Sequence, residues 1–377
     1  MPWKERTIVS ERAEFIALAL TDGANISELC RRMGVSRKTA YKLLRRYAEA
    51  GDAGLHDRSR RPHTSPHRTS REMEERIIAL RLAHPKKGAH VLRRMLLNQG
   101  YTDVPAKSTI QAMLKRHGLI DEAESAKHTP HTSFERPQPN DLWQLDFKGH
   151  FVMQHDRCHP LTLLDDHSRF NLALQACANE RGETVQSRLT TVFRRYGVPQ
   201  AMLMDNGSPW GNDSGQPYTP LTVWLMHLGI NILHSRPYHP QTLGKLERFH
   251  RSLKSELLAG RTFTDLEHCQ RAFDAWRDFY NLERPHHALD LDTPVSRYTP
   301  SARSFPATLP ALHYAPDDQV RSVDVSGRIS FQGSRHRVGR AFTHKQVALR
   351  PTKTDGVWDV YFSIQRIKSL DLRDQNV

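Results

Sequence analysis

Cysteine is scarce in this 377-residue chain. There are four, Cys30, Cys158, Cys177 and Cys269, and none forms a CxxC pair. That spacing excludes a zinc ribbon and a disulfide framework, and it fits a reducing cytoplasm. Long apolar runs are missing as well. No segment approaches the roughly 18 apolar residues of a membrane span, and the opening "MPWKERTIVSERAEF" has no signal-peptide core. There is no glycine-rich loop of the kind that cradles phosphate, and no repeat beyond two helix-turn-helix-like units. These absences predict a soluble cytoplasmic protein.

Acid is also in deficit. Asp and Glu number 41 against 55 Lys and Arg, giving a formal charge of +14 and a pI near 9.8. Such a balance favours a polyanionic partner. Residues 1–120 carry +12, 121–140 carry −2, 141–300 carry −1 and 301–377 carry +5. A nearly neutral middle between basic ends is expected if the ends hold nucleic acid and the middle does something else. Solvated Lys and Arg faces on an ordinary basic protein would give the same totals. The length allows two or three domains with real cores.

Residues 25–51, "NISELCRRMGVSRKTAYKLLRRYAEAG", read as a short helix, a turn at Gly34, a Ser36 cap and a basic helix that stops at Gly51. This is a helix-turn-helix pattern, assigned to a domain over 1–55. Its second helix offers Arg37, Lys38, Tyr41, Lys42 and Arg45 to a major groove. An ordinary helical hairpin with a basic face is the plainer alternative. A basic linker, "HDRSRRPHTSPHRTS" (56–70), could track phosphates. A second all-helical DNA-binding unit is expected over 71–120. In it "PAKSTIQAMLKRHGL" resembles another recognition helix, with Lys107 at its start and Ser108 as the cap. The polar stretch 121–140 reads as a second linker.

From Asp141 the pattern turns to strands. "LWQLDFKGHF" and "LTLLDDHSRFNLALQAC" give three extended segments, and alternating helix and strand follow to about residue 291. A three-stranded meander followed by such alternation indicates a mixed sheet covered by helices. After a Pro-containing connector, residues 312–372 read as short strands with turns at Ser326–Gly327 and Asp355–Gly356, expected to form a small all-β barrel.

Three acids in the middle region stand at breaks in core elements. Asp146 interrupts the first strand, Asp205 ends the fourth in "MDNGSPW", and Glu247 opens the helix of "GKLERFHRSLKSELL". Singly, each has a structural explanation: an edge-strand acid, an Asp-Asn-Gly turn and a first-turn Glu on the helix dipole. Together those explanations are less persuasive. Hard oxygen donors without His or Cys at ligand spacing suit Mg²⁺ or Mn²⁺, and two such ions can drive in-line phosphodiester chemistry. In the Glu247 helix, Leu246, Phe249, Leu253 and Leu257 take the core side. His250, Arg251 and Lys254 are expected to share the Glu247 face as cations that grip phosphate.

"WQLDF", "LTLLDDHSRF", "MDNGSPW", "PYHPQTLGKLERFHRSLKSE" and "FYNLERPHHAL" resemble the successive motifs of bacterial insertion-sequence transposases of the retroviral-integrase superfamily, single-reading-frame type. The resemblance covers the whole middle region and, with the helix-turn-helix start, most of the chain. It implies a ribonuclease-H-like α/β core whose DDE triad falls on Asp146, Asp205 and Glu247, holding two Mg²⁺ or Mn²⁺ ions per active site. It also implies binding of terminal inverted repeats, cleavage, joining to target DNA, and a homodimer or larger assembly on double-stranded DNA in the bacterial nucleoid. A nuclease that only cleaves, and a DNA-binding regulator with an idle core, are the rival readings. Two departures stand out. The 41 residues between Asp205 and Glu247 exceed the spacing in many relatives, and the extra length is expected in "GNDSGQPYTP". The integrase zinc module is absent. Asn206, Tyr238 and Gln241 are expected beside the triad or on DNA, Trp210 and Tyr218 in packing, and Glu256 is the next acid should Glu247 not serve.

Overall fold

A computed structural model describes residues 7–58, 68–120, 135–211, 217–235 and 244–373. Tyr238 and Gln241 lie outside the described residues. The chain divides into two compact units, Met1–Arg68 and Thr69–Val377. Among the described residues no helix is long and apolar enough to cross a membrane.

The first unit holds α1 (Ile8–Ala19), α2 (Ile26–Arg32) and α3 (Arg37–Ala50). A side-chain oxygen fixes each start: Thr7 accepts from the Ser10 N–H, Asn25 from Ser27 and Glu28, and Ser36 from Thr39. Gly34 (φ +67°) makes the turn before α3 and Gly51 (φ +56°) ends it; both sit where a side chain would be strained. Phe15, Ile16, Leu29, Cys30, Ala40 and Leu55 form the core. The other flank of α3 leaves Arg37, Lys38, Tyr41, Lys42 and Arg45 exposed.

The second unit begins with α4 (Arg71–Ala83), α5 (Ala89–Asn98) and α6 (Lys107–Arg116), packed around Ile77, Leu92, Leu96 and Ile110. Lys107 and Ser108 are exposed at the start of α6. Ser108 is not the cap. Ala106, with extended backbone, takes that position and no side chain caps the helix, so Ser108 already lies inside the first turn.

The central sheet contains β1 (Trp143–Phe147), β2 (Phe151–Val152), β3 (Arg157–Asp165), β4 (Asn171–Cys177), β5 (Ala201–Met204) and β6 (Asn231–His234). β1, β3 and β4 form an antiparallel meander; β5 lies parallel to β1 and β6 parallel to β5. Helices α7 (Gly182–Tyr196) and α8 (Pro220–His227) cover one face through Leu189, Phe193 and Leu225 against Trp143, Leu145 and Leu163. Helices α9 (Gly244–Leu253) and α10 (Leu266–Asp278) cover the other through Leu246, Phe249, Leu253, Phe273 and Trp276 against Leu164 and Leu174. This is the ribonuclease-H-like arrangement. Side chains alternate along a strand, so with Trp143 and Leu145 on the first face, Asp146 points to the α9 face.

The C-terminal module contains β7 (Gln319–Ser322), β8 (Arg328–Phe331), β9 (Ser334–Arg337), β10 (Gln346–Pro351), β11 (Val357–Phe362) and β12 (Gln365–Asp371). The expected barrel does not close. β12, β11, β10 and β7 make an open four-stranded sheet, and β8–β9 is a separate hairpin that pairs only with itself, so among the described residues no strand bridges the two ends. Burial comes from the core instead: Val347, Leu349, Val360 and Phe362 join the cluster on the α7–α8 face. Gln365 seals the free edge of β6 like a short strand. Its Oε1 accepts the Ile232 N–H at 2.7 Å and its Nε2 donates to Ile232 O at 3.0 Å.

Candidate active site

Asp146 and Asp205 are brought together by register. Gln144 of β1 pairs with Leu203 of the parallel β5, and two residues further on lie Asp146 within β1 and Asp205 just past the end of β5, at the same sheet end. Both are half-buried. Asp205 is held from several sides: its carboxylate accepts the Gly207 N–H at 3.1 Å, and its carbonyl accepts from His234 Nδ1 at 2.8 Å. Since a carbonyl only accepts, His234 carries its proton on Nδ1. Asn206 donates to Ser235 O at 2.8 Å, fastening the ends of β5 and β6. A Cβ on Gly207 would come within 3.3 Å of the Asp205 carboxylate, so glycine leaves that group room.

The electrostatics match the crowding. Asp146 is pushed up to about 7 by burial first and then by the negative charge of Asp205, with Glu180 and Glu247 adding to it. Burial also raises Asp205, which Glu180 reinforces and the Gly207 N–H and His234 oppose. Glu247 is exposed in the first turn of α9 while Leu246, Phe249 and Leu253 are buried beneath it. None of the three acids has an ion-pair partner among the described residues. Clustered carboxylates without a cation suit a hard divalent ion. As placed, no three His, Cys, Asp or Glu side chains among the described residues converge closely enough to enclose an ion. The segment 236–243, directly before α9, lies outside the described residues.

Sequence reasoning missed Glu180 and His234. Glu180 precedes α7 and pairs with His159 Nδ1 at 2.8 Å; in the sequence it is one acid in a polar loop, and nothing local marks it. His234 ends a strand and becomes informative only once β5 and β6 are known to be neighbours.

Family models match along most of the chain. A helix-turn-helix domain matches residues 11–63 and a homeodomain-like domain 39–114; integrase core domains match 136–240 and 228–294. The C-terminal domain of IS481 family transposases matches 318–377. An uncharacterized 31.7 kDa protein of insertion element IS407 from Burkholderia multivorans is 27% identical over 156 residues, 41% of this chain and 54% of that protein. A 39.2 kDa protein of insertion element IS476 from Xanthomonas euvesicatoria is 27% identical over 148 residues, 39% and 41% respectively. The chain belongs to the bacterial insertion-sequence transposases of the integrase superfamily. It spans about half the length of those relatives, 54% and 41%. Among solved structures, the catalytic core domain of BIV integrase aligns at 22% identity over 42% of this chain and 92% of that one, with a TM-score of 0.32. A simian T-cell lymphotropic virus intasome aligns at 16% identity over 78% of this chain and 98% of that one, with a TM-score of 0.37.

Within this chain the cations expected beside Glu247 divide. Arg251 and Lys254 are exposed. His250 is not a surface cation: it faces the sheet, its Nε2 lies 2.7 Å from Thr162 Oγ1, and burial followed by the nearby Lys148 lowers it to about 4. Thr162 donates its one hydroxyl proton to Asp146 O at 2.9 Å, so it accepts from a neutral, Nε2-protonated His250. The chain His250–Thr162–Asp146 ties the Glu247 helix to the Asp146 strand. His250→Leu removes the donor to the Thr162 hydroxyl and should cost about 0.5–1.5 kcal/mol of stability, read as a lower urea midpoint at unchanged slope; an unchanged midpoint would dismiss the tie.

Glu256 is committed elsewhere. Its Oε1 lies 2.5 Å from Lys87 Nζ and 3.1 Å from Arg284 Nη2. Burial alone would raise its pKa, but Arg284 and Lys87 together bring it below the ordinary value. Trp210 is buried and stacks on Phe147 at 5.8 Å, and Tyr218 meets Phe342 edge-on at 5.4 Å. Both are packing residues.

Proposed function

We propose that the chain is a DNA transposase that binds its element's terminal inverted repeats, cleaves the ends and joins them to target DNA. One observation carries the reading: Asp146 and Asp205 stand at adjacent parallel strand ends with the Glu247 charge felt at Asp146, and none of the three has an ion-pair partner among the described residues. Asp146 and Asp205 would hold Mg²⁺ or Mn²⁺ jointly and Glu247 would complete a second ion's shell. Two divalent ions bound there would supply activation of the attacking oxygen and stabilisation of the leaving one. The protein's part is to fix the three acids, through the Gly207 and His234 contacts on Asp205 and the His250–Thr162 tie to Asp146. Water attacks phosphorus and the 3′-oxygen leaves, giving a 3′-OH and a 5′-phosphate. That 3′-OH then attacks a target phosphodiester, so one bond forms as one breaks and no enzyme-linked intermediate is needed.

The division of labour follows the modules: residues 1–55 and 71–120 bind DNA, with 56–70 and 121–140 as linkers, 141–291 carry the chemistry, and 312–372 form the small β module, acting as a homodimer or larger assembly on DNA in the cytoplasm. Labelled duplexes of candidate terminal repeats incubated with the protein and Mg²⁺ should yield nicked ends and then joined products on a gel. Cleavage without joining would leave a nuclease, and neither product with firm binding would leave a regulator.

Recognition by α3 is separately testable. Residues 1–68 form a compact unit and should bind repeat duplex in preference to random duplex. The logarithm of affinity should fall linearly with that of salt as Lys and Arg contacts release counterions. Lys42→Ala should lower the slope by about 1 if Lys42 meets a phosphate. Equal binding of repeat and random DNA would place recognition elsewhere.

A further inference from the structure

The second helical module is seated on the core rather than hung from it. Lys87 and Arg284 share the Glu256 carboxylate, Arg94 Nη2 meets Asp292 Oδ1 at 2.6 Å, and His84 lies flat on Phe279 with ring centroids 5.0 Å apart. Val91, Met95 and Leu291 share a buried apolar cluster. The Lys87 and Glu256 side chains are only 6% and 13% exposed, so parting the two surfaces would strand charge in a poorly hydrated place.

That seating gathers basic groups the sequence scatters. His90 of α5 and His287, beyond α10, approach to 5.8 Å between ring centroids. Lys107 opens α6, and Arg248 follows Glu247 on α9; all four residues are exposed. The His287 imidazole is held below its ordinary pKa by burial first and then by His90, Arg284, Lys107 and Arg248 in turn. The charges that lower it are basic. Two acids at the seating are engaged already, Glu256 by Lys87 and Arg284 and Asp292 by Arg94. Neither Lys107 nor Arg248 has an ion-pair partner among the described residues. Like charges assembled by rigid packing attract an anion from outside.

We propose that this seam of His90, Lys107, Arg248 and His287 is a binding site for the phosphate backbone of duplex DNA, built jointly by the second helical module and the catalytic-site helix. The inference rests on the transposase reading and deepens it. Long Lys and Arg side chains on an open surface suit phosphate contacts, which position a duplex without reading its sequence. Arg248 adjoins Glu247, so a backbone in the seam passes beside the active-site acids. Because the module is seated, the distance from α6 to the cut is set by the protein and not by a linker.

The test compares full-length wild type with Lys107→Ala, Arg248→Ala and the double variant for binding to repeat and random duplexes across a salt series. Both residues are exposed, so the variants should fold as wild type does. Each single change should lower the salt slope by about 1 and the double change by about 2, weakening repeat and random DNA by the same factor. Lys42→Ala, on α3, serves as the reference. If the double variant keeps the wild-type slope and affinity while Lys42→Ala binds more weakly, the seam is wrong and the transposase reading stands. If the wild-type chain binds no duplex at all, that reading falls and the seam with it.

Discussion

Asp146→Asn, Asp205→Asn and Glu247→Gln should each abolish cleavage and joining while repeat binding stays near wild type. Each change removes a charged oxygen donor and little volume. Losing several kcal/mol of transition-state charge stabilisation corresponds to about a thousand-fold or more in rate, below the reach of a gel assay. The surfaces proposed to bind DNA, on α3 and in the seam, are untouched. Joining retained by Glu247→Gln would remove Glu247 from the site. Glu256 would not be the natural substitute, because Lys87 and Arg284 hold both it and its charge.

An independent readout guards against mistaking unfolding for lost chemistry. In chelator, Asp146 holds its proton up to about pH 7 in the folded protein, well above an unfolded carboxylate. The folded state therefore binds that proton more tightly than the unfolded one. The stability so contributed is complete below the unfolded pKa and is lost as pH rises through about 7. Asn carries no such penalty. The inactive Asp146→Asn protein should thus melt higher than wild type, by a margin that grows from about pH 4 to pH 7 and then levels off. A flat difference across that range would mean that burial and Asp205 do not hold the Asp146 proton above the ordinary carboxylate range.

Much of this molecule can be read from residue order, and what cannot shares one cause. The strands around "WQLDF" and "LTLLDD" and the helix of "KLERFHRSL" declare themselves by period, and Ser36 and Gly51 mark the two ends of α3 by their chemistry. Those are local signals. Asp146 and Asp205 were each visible as an acid at a strand break, but their meeting depends on parallel pairing between β1 and β5, which no local pattern encodes. The same holds for Lys87, an ordinary surface lysine in the sequence, whose partner Glu256 lies 169 positions away. His250 failed differently. Helical spacing puts it one turn from Glu247, but spacing does not say which flank of the helix rolls toward the sheet, and here that flank carries His250 onto Thr162. Closure of the β module was equally out of reach, since strand period shows neither which edges meet nor that Gln365 would cover the edge of β6.

Mixing two crippled proteins should restore cleavage that neither shows alone. Joining both ends of an element to one target needs two active sites in fixed relation, and a two-fold pair of protomers is the simplest closed solution. The basic linker 56–70 is long and polar enough for the first unit of one protomer to serve DNA cut by the other. One partner is full-length Glu247→Gln, which recognises the repeat but lacks a working site. The other lacks residues 1–68 and keeps an intact site. Residues 69–120 must stay in the truncated partner, because Lys87 and Arg94 seat that module on the core and its removal would bare Leu291 and leave Asp292 unpaired. Recovery should rise from background to a substantial fraction of wild type, with cut ends only in the mixture. Light scattering on the paired-end complex should give at least a dimer. A monomeric mass, or a silent mixture beside an active wild-type control, would mean that each protomer cuts the repeat it binds.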